Sequence, residues 1–137
     1  MFLLFETVDR PAVEYLVKTF YTKVLKDEIV GPYFIRKLGS DLKNDKWYEH
    51  LRTLERFWLY MVNGEEGYWG HPFPPHAFLG EMYPETFERW LLLFDEVLRE
   101  TFPQAISDKF YTKAQTLAKQ FMQNLEIGEE FEDEDEC

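Results

Sequence analysis

Four stretches of this chain space their apolar residues three or four positions apart, which places them on one face of an α-helix. The first stretch follows Asp9 and Pro11, an N-cap candidate and a proline suited to a first helical turn. The second begins near Asn44 or Asp45, and the third opens at Pro84. The four apolar stripes are Val13, Leu16, Val17, Phe20, Val24 and Leu25; Trp47, Leu51, Leu54, Phe57, Trp58 and Met61; Phe87, Trp90, Leu91, Phe94, Val97 and Leu98; and Phe110, Ala114, Leu117, Ala118, Phe121 and Leu125. Because no stretch sustains polar and apolar alternation, we predict an all-α fold in which two helix pairs form two layers around a shared core.

Glycines and prolines mark the expected helix ends. Gly31-Pro32 predicts the end of the first helix, followed by an irregular piece over residues 33–38. Asn63-Gly64 predicts the end of the second, and Pro103 separates the third from the fourth. Gly128 is then expected to cap the last helix.

A long loop is predicted between the second and third helices. Residues 64–75 contain three glycines and three prolines, and a loop of this length is usually functional. Aromatic residues within the loop indicate that it packs against the rest of the protein. A short helical turn is expected over residues 76–79.

Charge is concentrated at the C-terminal end of the chain. The formal net charge is -11, and seven of the 26 acidic residues lie in residues 129–137 without a lysine or arginine. We therefore predict a folded domain over residues 1–128 and a solvated, disordered acidic tail over 129–137. A mildly acidic domain argues against binding of nucleic acid or anionic membrane. The lone Cys137 and the short apolar start of the chain, residues 1–5, favour a cytoplasmic location.

Familiar catalytic motifs are missing from the sequence, which leaves three histidines as the main candidates for chemistry. His50 shares the buried face of the second helix, where a core histidine is the commoner interpretation. His76 follows two prolines and precedes an apolar run, a rigid setting that suits axial coordination of a haem iron. His71 is expected to be exposed and without a role. A zinc site built from these three is possible by count, although their spacings match no common zinc pattern.

Tyr21 and Trp90 lie on or beside apolar stripes. Each fits ordinary core packing, and each carries one polar group that needs a hydrogen-bond partner when buried.

Several short segments, taken in order, resemble the truncated haemoglobins of group III, also called P-type. The resemblance covers the chain from Phe5 to about Leu125. The segments that carry it are Phe20-Tyr21-x-Lys23-Val24, Gly31-Pro32-x-Phe34, Trp47-x-x-His50, Phe57-Trp58, Tyr68-x-Gly70-x-Pro72 followed by His76, and Phe87-x-x-Trp90-Leu91-x-Leu93-Phe94. The resemblance implies a two-over-two helical sandwich around haem b, which is iron protoporphyrin IX.

The resemblance also implies a role for particular residues. His76 would be the proximal ligand of the iron, and Tyr21 and Trp90 would direct hydrogen-bond donors at a gas molecule on the distal side. His50 would lie near the route by which the ligand enters. The residues expected to contact the porphyrin are Phe34, Leu54 and Trp58, with Tyr68 a candidate partner of the haem propionates.

Two distal donors would slow the release of oxygen, which suits chemistry on the ligand better than bulk storage. We therefore predict a haem protein that binds O2, NO or CO and performs redox chemistry with O2, NO or peroxide, and we expect it to be a monomer. An activity like that of an NO dioxygenase or a peroxidase would need an electron donor that the sequence does not identify. The alternative is a haem-free all-α interaction module with an acidic docking tail, which would be colourless.

Overall fold

The structure, a computed structural model, describes residues 4–64 and 84–135, with the side chains of the last helix described as far as residue 120.

Short-range capping contacts explain where the helices begin. Asp9 accepts a hydrogen bond from the backbone of Ala12 at 3.1 Å, so helix α1 begins directly after its predicted cap and covers Arg10–Leu25. Asn44 caps helix α3, Asp45–Asn63, in the same way, and Gly64 ends it in the left-handed conformation. These three predictions are confirmed.

The predicted boundary around Gly31 is wrong. Helix α1 ends at Leu25, and Gly31-Pro32 begins a further helix, α2, which covers Gly31–Leu38. The expectation of an irregular piece over 33–38 fails for a physical reason, since a proline in a first helical turn needs no backbone donor. Gly31 allows α2 to approach α1 closely, because a Cβ atom there would lie 2.8 Å from the carbonyl oxygen of Val24.

Two further helices complete the described fold. Helix α4 covers Pro84–Thr101, as its opening proline predicts, and α5 covers Gln104–Asp135 after Pro103. The expected end at Gly128 is wrong, since α5 continues through it. A single glycine costs a helix only about 1 kcal/mol relative to alanine, which good helix formers around it offset. The division into a domain over 1–128 and a tail over 129–137 stays a prediction.

The helices form the two layers that the sequence predicts. Helix α1 packs on α3, and α4 packs on α5, while the contact between α1 and α4 joins the two pairs. No strand occurs in the two described ranges, which confirms the all-α prediction. The largest fully buried side chains of the core are aromatic: Trp47, Phe20, Phe34, Phe94, Phe102 and Phe110. Among residues 4–64 and 84–135, we find no helix with the length and apolar character needed to span a bilayer.

Candidate functional site

A cluster of aromatic rings surrounds Tyr21 on the inner face of α1. Tyr21 is only 3% exposed, and its ring centroid lies 5.3 Å from that of Phe34 and 5.4 Å from that of Trp47. The imidazole of His50, on α3, lies 6.1 Å from the same ring. We call Tyr21, Phe34, Trp47 and His50 the Tyr21 cluster. It brings together side chains from three helices, α1, α2 and α3.

The hydroxyl group of Tyr21 is hydrogen-bonded to Trp90 of α4. Burial raises the pKa of Tyr21, and the hydrogen bond from Trp90 lowers it in part, so that the pKa stays well above its ordinary value. The phenol is therefore neutral at physiological pH. Because an indole N–H can only donate, the Tyr21 oxygen accepts this bond and the Tyr21 O–H proton is left to donate elsewhere.

Aromatic packing holds Trp90 in place on α4. Its ring stacks on Phe94 with centroids 5.3 Å apart, and it meets Phe20 edge-on at the same distance. Phe20 also contacts the ring of Tyr21 at 4.7 Å. The rings of α1 and α4 thus fix both partners of the Tyr21–Trp90 hydrogen bond.

His50 lies at the edge of the Tyr21 cluster. Its side chain is half-buried, its Nε2 atom is shielded from solvent, and its ring meets that of Trp47 edge-on at 5.4 Å. Trp47 is itself anchored, because its indole nitrogen donates a hydrogen bond of 2.7 Å to the carbonyl oxygen of Gly39. An imidazole beside a neutral phenol adds a second polar group to a mainly apolar surrounding.

The buried face of α3 continues from His50 through Leu54 and Trp58, which are spaced four residues apart. Leu54 and Trp58 are 8% and 4% exposed. The ring of Trp58 stacks on Phe94 at 5.2 Å and lies 5.5 Å from Phe110, so it faces α4 and α5. Trp58 therefore packs near Trp90, which stacks on the same Phe94 ring. Among the described residues, Trp58 makes no ring contact with the Tyr21 cluster.

The structure brings together four of the residues singled out from the sequence: Tyr21, Phe34, His50 and Trp90. The other predicted site residues, Tyr68 on the loop and His76 on the short turn, lie outside the described residues, as does His71. Within the described ranges, no group of three His, Cys, Asp or Glu side chains could hold a metal ion. The proximal role of His76 and the zinc alternative therefore stay predictions.

Two features of the site are not predicted from the sequence. The apolar stripe predicts only a core position for Trp47, although its place three residues before His50 on the same helical face is the signal that puts it in the cluster. The second feature is an ion pair between Asp27 and Arg89, with Arg89 Nη2 2.7 Å from the carboxylate. These residues are 62 positions apart, and no local pattern signals their contact.

The comparisons with known proteins agree with this geometry. No protein-family model matches the chain. The chain is 34% identical over 121 residues to group 3 truncated hemoglobin ctb of Campylobacter jejuni, an alignment that covers 88% of this chain and 94% of the relative. Its fold matches the crystal structure of group III truncated hemoglobin from Campylobacter jejuni with a TM-score of 0.79 and 34% identity, over 87% of this chain and 92% of the other. This identity, over most of both chains and on the same fold, shows that the chain belongs to the group III truncated haemoglobins.

Proposed function

We propose that the chain binds haem b through His76 and that O2, NO or CO binds at the iron, on the side of Tyr21. The observation that supports this most directly is the buried phenol of Tyr21, whose ring lies 5.3 Å from that of Phe34 and 6.1 Å from that of His50 within a mainly aromatic cluster. Membership of a family of haemoglobins supports the choice of cofactor.

The described residues have the chemistry needed to contact one face of a haem group. The donor set combines a phenol, an indole and an imidazole, from Tyr21, Trp90 and His50, and each can bond a small polar molecule. Ring faces and aliphatic side chains around them suit a flat apolar macrocycle. Under this proposal the porphyrin contacts are Phe34, Leu54 and Trp58, and Tyr68 bonds a propionate.

When bound, haem supplies an iron that binds diatomic molecules and exchanges electrons with them. Tyr21 then contributes its remaining O–H proton as a donor to the ligand. The hydrogen bond that Tyr21 accepts from Trp90 makes its O–H a stronger donor, because hydrogen bonds in a chain polarise one another. A charge-assisted hydrogen bond in a dry site is worth about 1–3 kcal/mol, which slows ligand release by about tenfold or more.

Slow release favours chemistry on the ligand over bulk storage of oxygen. Donors placed where negative charge develops polarise an O–O bond, as reaction with NO or use of peroxide requires. We therefore assign the chain a role in O2, NO or peroxide redox chemistry, similar to that of an NO dioxygenase or a peroxidase. Such turnover needs an electron donor, which is a partner still to be identified.

The test is an absorption spectrum of protein produced with ample haem, recorded in its ferric, ferrous and ferrous–CO forms. We expect a Soret band in all three forms. The change His76→Ala should remove the haem or abolish the five-coordinate ferrous spectrum, whereas His71→Ala, the matched control in the same stretch of sequence, should leave the spectra unchanged.

Two outcomes would contradict the proposal in different ways. Wild-type spectra and full haem retention in His76→Ala would place the iron ligand elsewhere. A colourless protein that does not take up added hemin would favour the haem-free interaction module.

A further inference from the structure

We propose that Asp27, through its ion pair with Arg89, is the positioning residue that holds the indole of Trp90 on the hydroxyl of Tyr21 and so controls how long a diatomic ligand stays bound. The proposal rests on the function proposed above, because the measured consequence is ligand release. Neither charged residue needs to touch the ligand for this role.

Asp27 joins two parts of the fold with its two carboxylate oxygens. Oδ2 accepts hydrogen bonds from the backbone N–H groups of Ile29 at 3.0 Å and Val30 at 2.9 Å, directly before α2 begins. Oδ1 accepts from Arg89 on α4, at 2.8 Å from Nε and 2.7 Å from Nη2. The Asp27 side chain is only 7% exposed, whereas that of Arg89 is 37% exposed, so the carboxylate is the part of the pair that is shielded from water.

The ion pair joins the turn after α1 to α4, the helix that carries Trp90. Tyr21 lies on α1, six residues before Asp27, and Trp90 directly follows Arg89 on α4. A hydrogen bond tolerates only a few tenths of an ångström in its donor–acceptor distance before it weakens. A small slide of α4 along α1 would therefore move the indole off the hydroxyl. Nε and Nη2 of Arg89 both contact Oδ1 of Asp27, and these two contacts resist that slide.

An ion pair between α1 and α4 provides a matched control. Lys23 and Glu96 are 2.9 Å apart, and their side chains are 39% and 46% exposed. Exposed pairs of this kind contribute little to structure, because water screens them and both side chains lose freedom. The pair joins α1 to α4, and its removal leaves the Asp27–Arg89 contact itself in place, although the charge of Glu96 also acts on Arg89 at longer range.

Asp27 could also influence Tyr21 through α2, since α2 carries Phe34 at 5.3 Å from the Tyr21 ring. The change Asp27→Asn separates the two routes. The amide oxygen can still accept from the N–H groups before α2, whereas an amide N–H₂ group cannot accept from Arg89. The change Arg89→Gln removes the same contact from the other side and leaves Asp27 intact.

The experiment uses the haem-loaded protein and two readouts. The first is the dissociation rate of O2 by stopped flow. The second is the indole N–H resonance of Trp90 in the diamagnetic ferrous–CO form, assigned from its absence in Trp90→Phe. We expect Asp27→Asn and Arg89→Gln each to shift this resonance and to raise the dissociation rate by about threefold to tenfold, the effect of weakening one hydrogen bond. Glu96→Gln should change neither readout.

Three results would overturn the proposal. The first is that Asp27→Asn and Arg89→Gln lower the melting temperature but leave both readouts at wild-type values, which is the behaviour of a purely structural pair. The second is that Arg89→Gln accelerates O2 release equally in a Tyr21→Phe background. The third is that Glu96→Gln shifts both readouts as much as Arg89→Gln.

Two provisions keep the test decisive. If Arg89→Gln does not fold, Arg89→Lys takes its place. This change keeps the charge but leaves one nitrogen where arginine has two in contact with Asp27, and the proposal then requires a shift of the Trp90 resonance. If Tyr21→Phe alone leaves O2 release unchanged, the proposed distal role of Tyr21 fails. The Trp90 resonance still reports on positioning in that case, so the two failures are distinguishable.

Discussion

Tyr21 shows how a single buried polar atom constrains a site. A buried hydroxyl costs free energy unless it is hydrogen-bonded, and Trp90 satisfies the oxygen of Tyr21 as a donor. The O–H proton is then directed by what remains around it, which in the described part of the chain includes the imidazole of His50. Under the proposed function, Trp90 would therefore act on a ligand through Tyr21.

This arrangement predicts non-additive effects of two substitutions. Tyr21→Phe should raise the O2 dissociation rate by about tenfold or more, since under the proposed function it removes a hydrogen-bond donor to the ligand. Trp90→Phe should have a smaller effect, and the double variant should match Tyr21→Phe alone, because Trp90 acts through the hydroxyl that is already gone. Stopped-flow measurement of O2 release checks all three.

Tyr15→Phe is the control for loss of a tyrosine hydroxyl, because Tyr15 is 48% exposed on the same helix. It should release O2 at the wild-type rate. Fully additive effects of the two distal substitutions would mean that Trp90 contacts the ligand independently of Tyr21.

At the scale of elements, one side chain links α2 to α3 and so places Trp47 in the Tyr21 cluster. Asn44 accepts a hydrogen bond of 2.8 Å from the backbone of Trp47 and donates one of 2.8 Å to the carbonyl oxygen of Leu38. Between them, Gly39 has a positive φ of 91°, which a residue with a side chain rarely adopts. The junction is therefore fixed by local chemistry at both ends.

Asn44→Ala should lower the free energy of unfolding by about 1–2 kcal/mol, because it removes an N-cap and leaves the backbone N–H of Trp47 without its side-chain acceptor. Asn44→Asp keeps the capping acceptor but loses the donor to Leu38, so its loss should be smaller. Urea unfolding measures both. Lys43→Ala, at the exposed position before the cap, should be close to neutral, and an equal loss in all three variants would argue against the capping role.

Asp27 gives the junction of α1, α2 and α4 a dependence on pH. Burial raises the pKa of Asp27. The hydrogen bonds from Arg89 and from the backbone of Val30 and Ile29 lower this pKa by more than burial raises it, so the net shift is downward. A carboxyl group whose pKa is lowered by folding stabilises the folded state above its unfolded pKa of about 3.9. That contribution disappears as the pH falls through the folded pKa.

We therefore expect Asp27→Asn to be less stable than the wild type at pH 7, with a difference that shrinks as the pH falls below about 4. Urea unfolding of both proteins at a series of pH values gives this difference directly. A difference that stays constant down to acid pH would show that the Asp27 carboxylate does not carry the effect. Glu96→Gln, which removes an exposed pair, should show little dependence of this kind.

The whole molecule is a two-layer helical fold of the truncated globin type. Its described core is dense in aromatic rings, with continuous contacts from the Tyr21 cluster through Phe20 and Trp90 to Phe94 and Trp58. Under the proposed function, these rings form much of the surroundings of the cofactor. Stability of the folded chain should then depend on haem.

Removal of haem should lower the melting temperature, and added hemin should restore it. A ligand that binds only the folded state stabilises it by about 4 kcal/mol when its free concentration is a thousand times its dissociation constant. Calorimetry of the apo and haem-loaded forms measures this gain. The gain should be reduced in His76→Ala and retained in His71→Ala, and identical melting of both wild-type forms would contradict a bound haem.

Helix limits that depend on neighbouring residues can be predicted from the linear chain. Capping at Asp9 and Asn44, the stop at Gly64 and the start at Pro84 depend on contacts within a few positions, so a linear pattern is enough to predict them. The same local logic failed at Gly31-Pro32, because that pair suits the end of one helix as well as the start of the next. The choice depends on how closely the second helix can approach the first.

The pairing of the polar groups depends on how the helices pack against one another. The spacing of Tyr21 and Trp90 allowed two ordinary core residues, and it was the packing of α1 on α4 that brought the indole onto the hydroxyl. The Asp27–Arg89 pair spans 62 positions and exists only in that packing. Helix signals act over one or two turns of chain, whereas contacts between helices depend on the rotation and register of whole elements.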